Sequence, residues 1–384
     1  MSFDIPDDIL ALVHDAVEDP LLISSVCRAW RRFLFLRPTL WSKFNITIKK
    51  HPHLRLFRLY IDRSAQCPLS LSIVVMTMDH NIADNAAELL AWIAHRVKSL
   101  AFHMSPVALY YFERKKLTFP LLGSFDIDYV SYPNYPELFT SSPSLSKLTL
   151  TSLLTPVQHL PVIWSQITHL ALYTGDNKIS LLAPVLNLVS KSLVSLACVF
   201  KLQPAGSSPA LAIPIEFPSL EYLHTNYPFV LDIVACPRLS SLYISTHDFR
   251  HTGWLSTSLS SFLMRSGTGN TLTSFGIECA FLTATHVMPI LKFLTAVETL
   301  RLEMVQSQTV ALLSTPIFLP QLTTLHVSPV LPDVKFMSTL ACILDARGAG
   351  LKWVHLHYRK DMRVDVAVRS LQDRYPNIEL WFPM

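Results

Sequence analysis

Residues 297–327, VETLRLEMVQSQTVALLSTPIFLPQLTTLHV, hold one six-residue pattern twice, as VETLRL from Val297 and LTTLHV from Leu322. Apolar residues two apart share one face of a strand, so Leu300 with Leu302, and Leu325 with Val327, predict two short strands with one buried face each. Such a strand is unstable alone and must bury that face against its own return segment and its neighbours. The pattern recurs in VKSLAF from Val97, LGSFDI from Leu122, LSKLTL from Leu145, ITHLAL from Ile167 and LVSLAC from Leu193. It continues in LEYLHT from Leu220, LSSLYI from Leu239, LTSFGI from Leu272 and LKWVHL from Leu351. The copies begin roughly 19 to 33 residues apart, the spacing of a solenoid repeat. Weaker copies lie at Trp41–Ile48 (WSKFNITI), Leu69–Val75 (LSLSIVV) and Ile378–Phe382 (IELWF).

Between the copies, NAAELLAWIAHR from Asn85, VMPILKFL from Val287 and MSTLACILDAR from Met337 carry apolar spacings that suit helices, the first starting near Asn85. Prolines flank many copies, as in SSPSL, FPSL, CPRL and FLPQL, which accounts for the 26 prolines without invoking disorder. From roughly residue 46 to 384 the chain resembles leucine-rich-repeat proteins. That resemblance implies an α/β fold, an irregular leucine-rich-repeat solenoid bent into a horseshoe or arc. The Asn expected shortly after each strand is absent from nearly every copy and glycine is scarce, so the turns must close differently. A β-rich or mixed α/β domain of another kind is the alternative.

The N-terminal stretch 5–46, IPDDILALVHDAVEDPLLISSVCRAWRRFLFLRPTLWSKFNI, follows other rules. Pro6 suits the first position of a helix, and Asp7 and Asp8 fall in its first turn, where the helix dipole favours carboxylates. Ile9, Leu10, Val13 and Val17 then recur at helical spacing, and Leu22, Val26, Cys27 and Trp30 repeat it after Pro20. The Pro-acidic start, the run V-C-R-x-W-R at Val26–Arg31 and the R-P-T-L-W ending at Arg37–Trp41 together resemble the F-box, and the whole resembles fungal-type F-box proteins with divergent repeats. The resemblance implies a helical module at 1–46 that docks on the Skp-family adaptor of a cullin-RING ubiquitin ligase, followed by a repeat domain at 47–384. Carried over by position, Pro6, Ile9, Leu10, Leu22, Val26, Cys27 and Trp30 would face the adaptor or the module's core, and Trp41 would seat the following domain. The short link around Ala16–Pro20 departs from the family pattern. A generic helical hairpin is the alternative.

Half of the 384 residues are hydrophobic and 16% are charged, enough for an extended core. A net charge of +4 with dispersed basic residues offers no nucleic-acid footprint, so no nucleic-acid partner is expected. Asp4, Asp7 and Asp8 stand where a secretory signal would carry basic residues, so no export signal is read and a place in the cytoplasm or nucleus is expected. The apolar stretch Leu181–Phe200 invites a membrane reading, but Pro184, Asn187, Ser190, Lys191 and Ser192 interrupt it and its end matches the repeat, so no membrane span is expected. The six cysteines show no C-x-x-C pair and read as buried thiols.

If strands line one side of the arc, the residues between their apolar positions form the recognition surface. In the later copies these are Tyr222, His224, Asn226, Tyr243, Glu278, Arg301, Glu303, His326, Trp353, His355 and His357, a face rich in the residue types that anchor interfaces. His355 and His357 share a strand face and His51 and His53 are similarly spaced, but a metal site needs three or four convergent ligands, so no metal or other cofactor is expected. Asp126 and Asp128 form a D-x-D that reads as a solvated strand face, and the pairs Gly267 with Gly269 and Gly348 with Gly350 lack a phosphate-cradling context. No catalytic centre is recognised and the chain is expected not to be an enzyme. The function expected is substrate recognition within an SCF-type ubiquitin ligase, with the adaptor and through it a cullin as partners and an unknown protein as substrate. An adaptor-independent repeat scaffold is the alternative, and a hydrolase would require a clustered pocket of reactive residues.

Overall fold

The computed structural model describes residues 20–129, 142–151, 162–174, 182–200, 214–245, 253–279, 283–329, 334–348, 350–357, 362–376 and 379–381. The chain divides into two units, Met1–Val185 and Leu186–Met384. Every sequence copy that predicts a strand forms one.

In the first unit these strands are β1 (Lys43–Ile48), β2 (Leu69–Val75), β3 (Val97–Met104), β4 (Ser124–Tyr129), β5 (Lys147–Thr151) and β6 (His169–Thr174). Each pairs in parallel with the next. Burial alternates strictly along β1, where Phe44, Ile46 and Ile48 point inward, and the same alternation runs along β2. Return helices cover this face. Leu54, Phe57, Tyr60 and Ile61 form the buried stripe of the helix His51–Arg63, and Ala83, Ala86, Ala87 and Leu90 that of the helix His80–Ile93. Burying a large apolar side chain contributes about 1.5–3 kcal/mol, so the core rests on these stripes. The second helix begins before Asn85 because the Asp79 side chain accepts from the amides of Asn81 (2.9 Å) and Ile82 (3.3 Å), a stronger start signal than Asn85 offers.

In the second unit the parallel ladder comprises β7 (Ser195–Phe200), β9 (Tyr222–Thr225), β11 (Ser241–Ser245), β12 (Ser274–Glu278), β13 (Thr299–Val305), β14 (Thr324–Pro329), β15 (Trp353–Leu356) and β16 (Glu379–Trp381). A separate parallel pair, β8 (Ile215–Glu216) with β10 (Val234–Ala235), has no counterpart in the sequence reading. The leading apolar residue of each copy, Leu193, Leu220, Leu239, Leu272 and Val297 among them, is fully buried just before its strand. Both units therefore have a leucine-rich-repeat-like construction of strand, turn and return segment. The stretch Leu181–Phe200 supplies the short helix Leu182–Val189 and then β7, and no described helix is long and apolar enough to cross a membrane.

The turns close by devices other than a repeated Asn. Asn226 directly follows β9 and closes its turn. Its Oδ1 accepts from the Phe200 amide (2.8 Å) and its Nδ2 donates to the Phe200 carbonyl (2.6 Å). It is 2% exposed and so leaves the recognition face predicted for it. Elsewhere arginines take over this work. Arg96, in a short 3-10 turn after the helix His80–Ile93, donates to the Ser64 hydroxyl (2.8 Å) and the Cys67 carbonyl (2.9 Å), just past the end of the helix His51–Arg63. Arg265, in the last turn of the helix Gly253–Ser266, donates to the carbonyls of Leu231 and Val234 at the end of the helix Pro228–Ile233. Arg347 ends the helix Val334–Arg347 and donates to the carbonyls of Leu313, Thr315, Phe318 and Leu319, around the end of the 3-10 turn Ala311–Ser314. Each guanidinium thus meets carbonyls at or just past the end of a helical turn, where the helix dipole favours a cation, although those of Thr315 and Leu319 also accept from the Phe318 and Leu322 amides. Gly267 (φ 64°) closes the helix Gly253–Ser266 in the left-handed conformation, a helix terminator and not half of a phosphate loop.

Candidate functional site

Parallel register lines up one row of side chains across the second unit. Ala197, His224, Tyr243, Gly276, Arg301, His326, His355 and Trp381 are successive partners from β7 to β16. Alternation turns the row away from the core, since its neighbours along the strands, Leu223, Leu242, Phe275, Leu300, Leu325 and Val354, are buried.

The side chains of this row touch in sequence. The His224 ring meets Tyr243 edge to face at 4.9 Å, and the His224 Nε2 lies 3.2 Å from the Ser245 hydroxyl. Tyr243 lies flat over Gly276, so that a Cβ at residue 276 would sit 2.3 Å from the ring. The Tyr243 hydroxyl donates to a Glu278 carboxylate oxygen at 3.2 Å, and the Arg301 guanidinium covers the ring at 5.3 Å from its centroid. Arg301 is also paired with Glu303. Beyond it the rings of His326 and His355 stack at 4.2 Å, with planes 12° apart. An open depression of about 340 Å³ lies over the row, with Tyr222, His224, Tyr243, Gly276, Arg301 and His326 in its walls and floor.

Burial governs the protonation states. It pulls His224 below the ordinary imidazole value and pushes the Tyr243 hydroxyl up, the latter helped by Glu303 and Glu278. His326 is pulled down to about 4, first by burial, then by repulsion of its charged form by His355, Arg301 and His357, with Glu303 opposing. The His326 ring is therefore neutral at physiological pH, free to stack and to hydrogen-bond.

His224, Tyr243, Glu278, Arg301, Glu303, His326 and His355 form one contiguous surface, as their sequence positions imply. Tyr222 (37% exposed) and Trp353 (42% exposed) share a parallel row two residues earlier, on strands five apart in the ladder, which separates them by about 24 Å at the usual strand spacing. His357 is exposed beyond β15. Gly276 and the hydroxyls of Ser241 and Thr299, which help to shape the depression, have no signal in the sequence, because only register reveals them.

The described part of the F-box-like segment forms the helices Pro20–Val26 and Arg28–Phe35. Ile23, Phe33 and Leu34 point inward, whereas Leu22 is 60% and Val26 61% exposed, and Cys27, between the two helices, is exposed. Trp30 is half-buried. Trp41 is buried, donates to the Leu34 carbonyl at 2.9 Å and packs edge-on against Tyr60 of the first return helix at 5.5 Å, so it joins the helical pair to the repeats. Pro6, Ile9 and Leu10 lie outside the described residues.

Among the described residues no three His, Cys, Asp or Glu side chains converge to hold a metal ion. His53 is occupied in accepting from the Lys49 amide at 3.0 Å, at the start of the first return helix. Cys198, Cys236 and Cys279 are buried, and burial raises the Cys198 and Cys236 thiols, but Cys27 and Cys342 are exposed, contrary to the expectation that all the thiols are buried. Cys27 is the extended residue before the helix Arg28–Phe35 and Cys342 lies on the exposed side of the helix Val334–Arg347, places where a small apolar residue need not face the core.

No family model and no curated protein matches the chain. Among solved structures, the crystal structure of an internalin from Listeria monocytogenes aligns over 96% of this chain and 94% of its own, at 12% identity and a TM-score of 0.33. So distant a likeness carries no argument, and the repeat construction rests on strand register alone.

Proposed function

We propose that the chain is a substrate-recognition subunit of an SCF-type cullin-RING ubiquitin ligase, acting in the cytoplasm or nucleus. In this reading the N-terminal helices dock on a Skp-family adaptor, and the row from His224 to His355 holds a protein substrate. The chain would then be no enzyme itself. It would raise the effective concentration of an acceptor lysine near a transfer centre supplied by other subunits.

The observation that carries the reading is the exposure of Leu22 and Val26, apolar side chains at F-box-like positions that reach solvent while Ile23 and Leu34 close the core behind them. Exposed apolar groups clustered on a short helical pair suit a protein interface. The second surface is supported by its content of Tyr, Arg and His joined by ring contacts, since rigid aromatic and arginine side chains are the usual interface anchors. Calorimetric titration of the full-length chain with a Skp-family adaptor tests the proposal. One-to-one binding is expected. No binding by a chain shown to be folded would leave an adaptor-independent repeat scaffold.

A further inference from the structure

On the opposite side of the first unit from its strands, the helices His51–Arg63 and His80–Ile93 leave a groove of about 430 Å³ between them. Its floor is apolar, formed by Leu54 and Leu89, and Trp92 stands at one edge 57% exposed. Arg55 and Arg58 line the other edge, three residues apart on one helix face, and no hydrogen bond or ion pair engages either among the described residues. The groove's acidic member, Glu88, is held by Lys115 at 3.0 Å, and the same ammonium reaches Asp84 at 3.1 Å. The rim therefore presents two uncompensated guanidinium groups facing a large exposed indole across an apolar floor.

We propose that this groove is a docking site for an acidic amphipathic segment of a partner protein, whose apolar side chains cover Leu89 and Trp92 and whose carboxylates pair with Arg55 and Arg58. Charge complementarity selects this occupant. A guanidinium pair matches carboxylates bidentately, and a basic segment would meet the two arginines with nothing to offset them. The dimensions agree, because the lining of the second helix runs from Asn85 to Trp92, about 10 Å, or two turns of a docked helix. This site is independent of the adaptor and of the His224–His355 row.

The test uses the full-length chain and a fluorescein-labelled amphipathic peptide of about three helical turns, with leucines along one face and glutamates beside them. A second peptide carries glutamine at every glutamate. Fluorescence anisotropy should show the glutamate peptide binding more tightly than the glutamine one, with the preference shrinking as salt rises. Arg55→Ala with Arg58→Ala should weaken the glutamate peptide about tenfold and leave the glutamine peptide unchanged, and Trp92→Ala should weaken both. Each variant is first shown to retain the wild-type melting curve, which exposed positions permit. Equal binding of the two peptides, or no binding of either, would overturn the proposal. So would concentration-dependent dimers lost in the double arginine variant, which would assign the groove to a second copy of the chain, or binding of phosphatidylserine vesicles in place of the peptide.

Discussion

Replacing Arg347 by Met removes a guanidinium while keeping most of its buried volume. The side chain is 9% exposed and donates to four carbonyls, those of Leu313, Thr315, Phe318 and Leu319. Its contacts with Thr315 and Phe318 are only part-buried, so water can replace the guanidinium there. The Leu313 carbonyl would lose its partner in a buried place, which costs about 1–3 kcal/mol, whereas the Leu319 carbonyl keeps the Leu322 amide at 3.1 Å. The methionine recovers part of the apolar contact, which leaves an expected loss of about 1–2 kcal/mol. For a unit of this size that lowers the melting midpoint by about 2–8 °C. Urea unfolding and calorimetry read the loss directly. Arg347→Lys keeps the charge but cannot reach four carbonyls with one ammonium, so it should fall between wild type and Arg347→Met. Arg374→Met is the control. Its pair with Asp345 is exposed on both sides and should cost less than about 1 kcal/mol. If Arg347→Met costs no more than Arg374→Met, the claim that C-terminal arginines replace the Asn of the ordinary repeat is refuted.

Asn226→Ala should cost about 2–4 kcal/mol in urea unfolding, because both backbone groups of Phe200 lose their partner in a buried turn. Gly276→Ala should drive the Tyr243 ring off its seat, since the new Cβ would lie 2.3 Å from it, and ultraviolet titration should show one tyrosine falling back toward the ordinary value of about 10. His326 is held down to about 4, so the unfolded chain binds the extra proton first as pH falls. Its contribution is complete above about pH 6.5 and is lost between there and about pH 4. Discounted for its half-exposed position, the loss is about 1–2 kcal/mol. It should be absent from the pH–stability curve of His326→Asn, and an unchanged curve would contradict the assignment.

The strands were legible because period-two alternation acts within five or six residues. Leu300 with Leu302 and Leu325 with Val327 are buried for the reason that makes them visible in the sequence. The weak copies at Trp41 and Leu69 form β1 and β2 by the same alternation. Helix starts were less legible, because Asp79 acts through a side-chain cap while Asn85 only resembles one. The pair β8 and β10 was invisible, being two residues long on each side. Of the candidate row, the side chains from His224 to His355 were readable as outward positions, but their contacts depend on register between strands up to 33 residues apart in sequence. Asn226 was misplaced because alternation assigns it outward while its two hydrogen bonds to Phe200 hold it inside. The role of Arg96, Arg265 and Arg347 left no local signal, since each acts on the preceding repeat.

In the proposed function, two separable surfaces link an adaptor to a protein partner. The direct measurement is parallel titration of a Skp-family adaptor into two folded variants, Leu22→Asp with Val26→Asp, and Tyr243→Ala with Arg301→Glu. The first pair should abolish adaptor binding and the second should leave it at the wild-type value. Wild-type binding by the first pair, or loss of binding in the second, would contradict the proposal.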